Sequence, residues 1–260
     1  MCYKLFLLVS ILLSPLASAA QSHYQLGVGS TNILDTYLSQ EKFYGIGLSM
    51  LYTREHYKDS CRWSTEWQHQ LHTSTADDRA DNASLLEGMY KLYSGCYYRL
   101  TSSSSKGICN PRTLQLYVGA LANVGLGMIY NTRNGNNPVQ ARLGLQIMPS
   151  VKATYPLRLF RHAAMLRYQA DLPLVGVVFS PNYGQSYYEM FSLGNYDHNI
   201  VPTTFISAPN FRQQLSLLYT VSPKFTFSIG YLGDYQQQRV NNLKQHLYDH
   251  AVMIGIAKNM

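Results

Sequence analysis

Cys61 to His72 reads C-R-W-S-T-E-W-Q-H-Q-L-H. The even positions, Arg62, Ser64, Glu66, Gln68, Gln70 and His72, are polar, whereas the odd positions, Trp63, Thr65, Trp67, His69 and Leu71, are apolar or amphipathic. Successive side chains of a strand point to opposite faces, so this parity describes a strand separating two solvents. The pattern recurs about ten times, and beyond the N-terminal segment no apolar run approaches the roughly 20 residues of a membrane-spanning helix. Together these features predict an all-β fold, an antiparallel transmembrane β-barrel.

The N-terminal segment accounts for export. Lys4 supplies a positive charge, Leu5 to Leu13 form a short apolar core, and Ala17-Ser18-Ala19-Ala20 offers small residues for cleavage. This is the layout of a signal peptide, expected over residues 1–20 and cut after Ala19 or Ala20. A retained anchor is disfavoured because the run is short and Pro15 interrupts it. No cysteine stands at the cleavage point, which argues against a lipid-anchored protein.

Composition agrees with a membrane-facing fold. Charged residues make up 13% of the chain, about half the roughly 25% of soluble domains. The 22 Tyr outnumber the 9 Phe, and amphipathic rings collect where lipid meets water. Mean hydropathy is nevertheless slightly polar, which excludes a helical membrane bundle. The formal net charge of +7 is scattered and not clustered, so a nucleic-acid footprint is absent. Cys61, Cys96 and Cys109 remain after export, an odd number that precludes full pairing; Cys96 and Cys109 flank one turn and are the candidates for a bond.

Parity places strands near 22–30, 43–54, 60–72, 84–99, 112–130, 139–153, 161–173, 211–220, 224–237 and 246–257, ten in all, with eight to twelve as the range. Ile46, Leu48 and Met50 oppose Gly45, Gly47 and Ser49; Leu143, Leu145 and Ile147 oppose Arg142, Gly144 and Gln146; Leu166 and Tyr168 oppose Arg167 and Gln169. A soluble β-sandwich also shows period two, but it carries its charge on the outward face. Here Arg62, Glu66, Glu87, Lys91, Arg142, Arg167 and Asp171 share a face with Gly, Ser and Gln. These charges are expected to pair across a narrow lumen, leaving it filled. An even strand number puts both termini on the periplasmic side, with the longer connections, 174–210 above all, outside.

Two strings, TNILDTYLSQEKFYG (31–45) and LPLVGVVFSPNYGQSYYEMFSLGNYDHN (172–199), resemble an uncharacterised family of small outer-membrane β-barrels from Bacteroidota, a domain of unknown function. The resemblance extends over most of the mature chain and implies fold and outer-membrane location, with outer-membrane lipids as surroundings, and no activity. The end of the chain, Ile256-Ala257-Lys258-Asn259-Met260, departs from the terminal aromatic usual in such barrels.

Candidate chemistry is sparse. His72 shares the lumen parity with Glu66, yet six residues at about 3.3 Å each set them roughly 20 Å apart. Asp197 and His198 lie near Ser186 and Ser192 without a spacing that identifies a triad. Asp77, Asp78 and Asp81 lack the Gly and terminal Glu of a calcium loop. Gly27 and Gly29 precede no helix, as a phosphate-binding turn requires. No cofactor signature and no catalytic or metal residues are expected. If the barrel binds a partner or small ligand, the residues to hold it are Arg142, Arg167 and Asp171 inside, and Tyr183, Tyr187 and Tyr188 in the long loop. The leading reading is a structural or interaction barrel with a filled or capped lumen. A narrow conduit or lipid-handling barrel is second and an outer-membrane hydrolase third. The apolar loop, limited by Pro181, Pro202 and Pro209, is expected to fold over the mouth.

Overall fold

Period-two alternation over 15 residues or more commits each segment to an extended ribbon, and a ribbon this long leaves two rows of backbone donors to satisfy. Ring closure satisfies them. The computed structural model describes residues 19–57, 62–101, 114–135, 137–160, 162–222 and 225–259. Within them run β1 (Ala19–Asp35), β2 (Phe43–Tyr57), β3 (Trp63–Asp77), β4 (Ser84–Arg99), β5 (Gln115–Asn131) and β6 (Val139–Leu159). There follow β7 (His162–Asp171), β8 (Val175–Phe179), α1 (Tyr187–Phe191), β9 (Ile200–Thr204), β10 (Phe211–Thr220), β11 (Phe225–Val240) and β12 (Leu243–Asn259). β1 pairs antiparallel with both β2 and β12, and β5 with β6, so the sheet closes on itself.

The twelve segments form ten staves. β8 continues β7 along β6: Ser150 opposes Asp171 and Ile147 opposes Val175, so four steps on one strand match three on the other. The extra residue is a bulge at Leu172-Pro173-Leu174, where Pro173 has no N–H to offer while Leu172 and Leu174 donate to Pro149 and Ile147. The bulge reverses parity, from Asp171 inward to Val178 inward. β9 and β10 form the next stave, interrupted by 205–210. There Arg239 N–H donates to Ser207 O, and Gln237 N–H to Asn210 Oδ1. The expected loop 174–210 therefore shortens at both ends. Val175–Phe179 and Ile200–Thr204 pair with each other in the wall, and only 180–199 projects beyond it. The connection expected at 238–245 contracts to a hairpin turn at Asn241-Asn242. Both residues have positive φ, 49° and 61°, as a two-residue turn matching strand twist demands. The expected Cys96–Cys109 pairing and the long connection near residues 101–112 lie outside the described residues, apart from Thr101 and an exposed Cys96.

The outer surface carries the apolar parity sets: Leu26, Ile46, Leu48, Leu126, Leu145, Phe227 and Ile254 are all exposed. Tyr24, Tyr52 and His69 form an aromatic row, and Tyr231, Tyr235, Tyr248 and His250 a second. The opposite parity is buried and polar, including Gln68, Gln70, Glu87, Lys152 and Arg212. Apolar outside and polar inside inverts a soluble protein and is the arrangement of a membrane barrel. No described helix is long and apolar enough to cross a membrane.

Leu145 is half exposed on the outer face, and its neighbour Gln146 turns inward. An arginine at Leu145 should therefore reduce the folded, heat-modifiable fraction far more than one at Gln146. The expected gap is about 2–4 kcal/mol for a charge at the bilayer midplane, read by urea titration in lipid vesicles.

Candidate functional site

Polar side chains on the inward parity of ten staves converge on a common axis, where they are cut off from water and must find partners there. Near the end bearing the termini, Lys152 on β6 contacts Glu55 on β2 at 2.9 Å and Glu66 on β3 at 2.7 Å. Arg167 on β7 bridges the same two carboxylates. Two acids thus meet two bases from across the barrel. The Tyr97 ring lies 4.2 Å below the Lys152 ammonium, within cation–π range.

The next layer repeats the device. Arg212 on β10 donates to Asp171 at 2.7 Å and reaches Gln68 and Gln70 on β3, five staves away. Lys91 on β4 meets Asp234 on β11 at 2.5 Å, also five staves away. Five of ten staves is the full diameter, so these pairs close the bore.

Above them His72, Glu87 and Asp249 converge from β3, β4 and β12. His72 Nε2 is 3.4 Å from Asp249 Oδ1 and 3.7 Å from Glu87 Oε2, and all three residues are buried. Each has a hydroxyl partner: Ser49 on His72 Nδ1 at 2.9 Å, Ser74 on Glu87 Oε2 at 2.7 Å, and Thr31 on Asp249 Oδ1 at 2.6 Å. Ser49, His72 and Asp249 share the connectivity of a Ser-His-Asp triad, yet all three are at most 6% exposed. These are the groups in the lumen suited to a metal ion.

An apolar cluster of Ile33, Leu38, Phe43, Ala76, Leu85, Ile129 and Leu247 closes the mouth. Leu38 enters it because Asp35 accepts hydrogen bonds from the N–H groups of Tyr37, Leu38 and Ser39, turning the 36–42 connection inward. Segment 180–199 meets it through Tyr37, which packs against the cluster and touches the Tyr187 ring. Ser186 and Glu189 form a capping box that starts the one-turn helix α1 and buries Met190. Tyr187 donates to Gln140 at 3.0 Å and accepts from Ala141 N–H at 2.7 Å, satisfying a β6 donor beyond the end of β8. Burial pushes its phenol up to about 12, so it stays protonated in both roles. Tyr37 donates to Gln185 O, and Asn241 to Ser180 O and His198 O, so the lid is fastened at three points around the rim.

The residues expected to bind a ligand are thus distributed among different tasks. Arg167 and Asp171 are consumed by lumen ion pairs. Arg142 is buried with Nη1 lacking a partner and borders a cavity of about 60 Å³, far below the roughly 300 Å³ at which small-molecule pockets begin. Tyr187 fastens the lid, while Tyr183 and Tyr188 are exposed on it. Arg62, expected in the lumen, is exposed at the rim and donates to Tyr98, because β3 begins only at Trp63. Ser186 caps α1, and Asp197 and His198 pair with each other, in keeping with a loop in which no triad was expected. Asp77 and Asp78 accept hydrogen bonds within their own turn, from Ser84 and from the N–H groups of Ala80 and Asn82. Lys152, Arg212, Asp234 and Asp249 were absent from the expected charges, although the parity of their own strands points them inward.

The family described as a protein of unknown function, DUF3316, matches residues 15–260. The chain belongs to the DUF3316 family. Among solved structures, this DUF3316 barrel is similar to the transport unit of the autotransporter AIDA-I from Escherichia coli. Identity is 7% and the TM-score 0.53, over 98% of this chain and 95% of that one. The likeness shows the fold of an outer-membrane barrel. The translocator domain of autotransporter NalP from Neisseria meningitidis matches at 10% identity and TM-score 0.42, over 98% and 93% of the two chains. Neisserial surface protein A (NspA) matches at 10% and 0.38, over 91% and 96%. No curated protein matches the chain.

Lys152 holds two buried carboxylates, and Lys152→Met leaves both facing Arg167 alone. Removing one member of a buried ionic group costs about 3–5 kcal/mol, so this variant should unfold at distinctly lower urea than wild type. Val151→Met, on the lipid side of the same strand, should not.

Proposed function

We propose that this DUF3316 chain is a closed outer-membrane barrel that acts through its outer loops, as a structural or docking element and not as a pore. It would be exported with cleavage near Ala19 or Ala20 into a Bacteroidota-type outer membrane, with periplasmic termini and the lid outside. The observation that carries this reading is the pair of full-diameter contacts, Lys91 to Asp234 and Arg212 to Gln68 and Gln70, which cross the bore below the lid. Closure therefore does not depend on the lid, and the lid is left free to present a surface. Tyr183, Tyr188, Phe191, Leu193 and Tyr196 are each more than 60% exposed there. Aromatic side chains held on an ordered segment are the usual anchors of protein interfaces.

In planar bilayers the purified protein should show no steady conductance, and it should remain closed when 181–198 is replaced by a short Gly-Ser linker. Step-like conductance in wild type would overturn the closed-barrel reading in favour of a conduit. In intact cells a photoreactive residue at Tyr188 should give a discrete protein cross-link, whereas one at lipid-facing Leu145 should give none.

A further inference from the structure

The carboxylates of the lumen divide into two kinds. Glu55, Glu66, Asp171 and Asp234 each touch a Lys or Arg. Asp35, Glu87 and Asp249 do not: Asp35, nearer the mouth, accepts from Tyr37 N–H, whereas among the described residues the ion-pair partner of Glu87 and Asp249 is His72, and Arg142 acts on Glu87 through space without touching it. Two carboxylates and one imidazole thus crowd together with a net negative charge even when the imidazole is protonated. Burial of uncompensated charge is costly, and lumens of this kind neutralise it with a cation or a proton.

We propose that His72 Nε2, Glu87 and Asp249 form a binding site for one divalent first-row transition ion, zinc being the probe of choice. Four observations support a cation over a proton. First, His72 Nε2 is buried, faces both carboxylates and makes no hydrogen bond, and the second oxygen of Glu87, Oε1, is buried without a partner as well. Second, ligands about 2.0–2.2 Å from a zinc ion in tetrahedral geometry stand about 3.3–3.6 Å apart. The separations from His72 Nε2 are 3.4 and 3.7 Å, too long for good hydrogen bonds and close to a ligand edge. Third, hydroxyls fix the three groups, as outer partners orient metal ligands: Ser49 holds the far nitrogen of His72, while Ser74 and Thr31 donate to Glu87 Oε2 and Asp249 Oδ1, the oxygens that face it. If Nδ1–H donates to Ser49, Nε2 presents its lone pair to the ion. Fourth, the wall makes room for this imidazole. A Cβ on Gly47 would lie 2.5 and 2.8 Å from His72 ring atoms, so only glycine opposite the ring permits its orientation.

An imidazole with two carboxylates is a mixed N/O donor set, suited to zinc, iron(II) or manganese and unsuited to the all-oxygen preference of calcium. Burial beneath the apolar cluster gives the ion a structural role, tying β3, β4 and β12 together.

The test uses full-length mature protein extracted in mild detergent from cells grown with zinc. Metal content is measured by plasma mass spectrometry, and cobalt uptake is read as visible d–d absorption after refolding. Wild type and His198→Gln, which alters an exposed loop histidine, should carry about one ion per chain. His72→Gln, Asp249→Asn and Gly47→Ala should carry almost none, and Ser49→Ala should bind about 10- to 100-fold more weakly. A heat-shift gel verifies that each variant is folded, and variants that are not are set aside. Wild type alone then decides: metal-free wild type that takes up neither zinc nor cobalt overturns the proposal and assigns neutralisation to a proton. Stoichiometric metal retained by folded His72→Gln also overturns it.

Discussion

A bore of ten staves is narrow enough for a lysine on one wall to reach a carboxylate on the other, and this short span governs the rest of the molecule. Inward side chains are crowded together and cut off from water, so most of the charges are matched within the lumen. Lys152 and Arg167 between Glu55 and Glu66, and Arg212 with Asp171, are the outcome. These pairs need not make the barrel more stable than apolar packing would, since desolvation offsets most of their attraction. They do select one register. Sliding a strand by one residue would turn its charges into lipid.

The loop end follows a different rule. Above the layer of His72, Glu87 and Asp249, Ile33, Phe43, Leu85 and Leu247 close the lumen with apolar contacts. The lid is tied to the rim by Tyr37, which packs against that cluster, and by Tyr187 and Asn241. Its inner face buries Met190, while its outer face displays Tyr183, Tyr188 and Phe191. A segment of this composition is thus neither wholly packed nor mobile: one half completes the mouth and the other is offered outward.

Much of the barrel was legible because alternation is local. Parity placed Leu145 outside and Gln70 inside with no knowledge of neighbouring strands, and the inward positions of Glu66, Glu87, Lys91 and Arg167 were read in the same way. Arg62 was misread because parity says nothing about where a strand begins. The loop boundary at 174 differs because the bulge at Leu172 to Leu174 reverses parity and resembles a strand end, and the one at 210 because 205–210 interrupts its stave and hides β9.

Pairing across the lumen was not legible at all. His72 was weighed against Glu66, its neighbour on the same strand, while its actual companions, Glu87 and Asp249, stand 15 and 177 positions further along the chain. The sequence by itself determined the membrane barrel, its two faces and half of its buried inward charges, because these depend on a two-residue period within single segments. Which inward groups meet depends on strand order, register and the diameter of the closed ring, all of which are relations between segments. Only the tertiary structure could decide them.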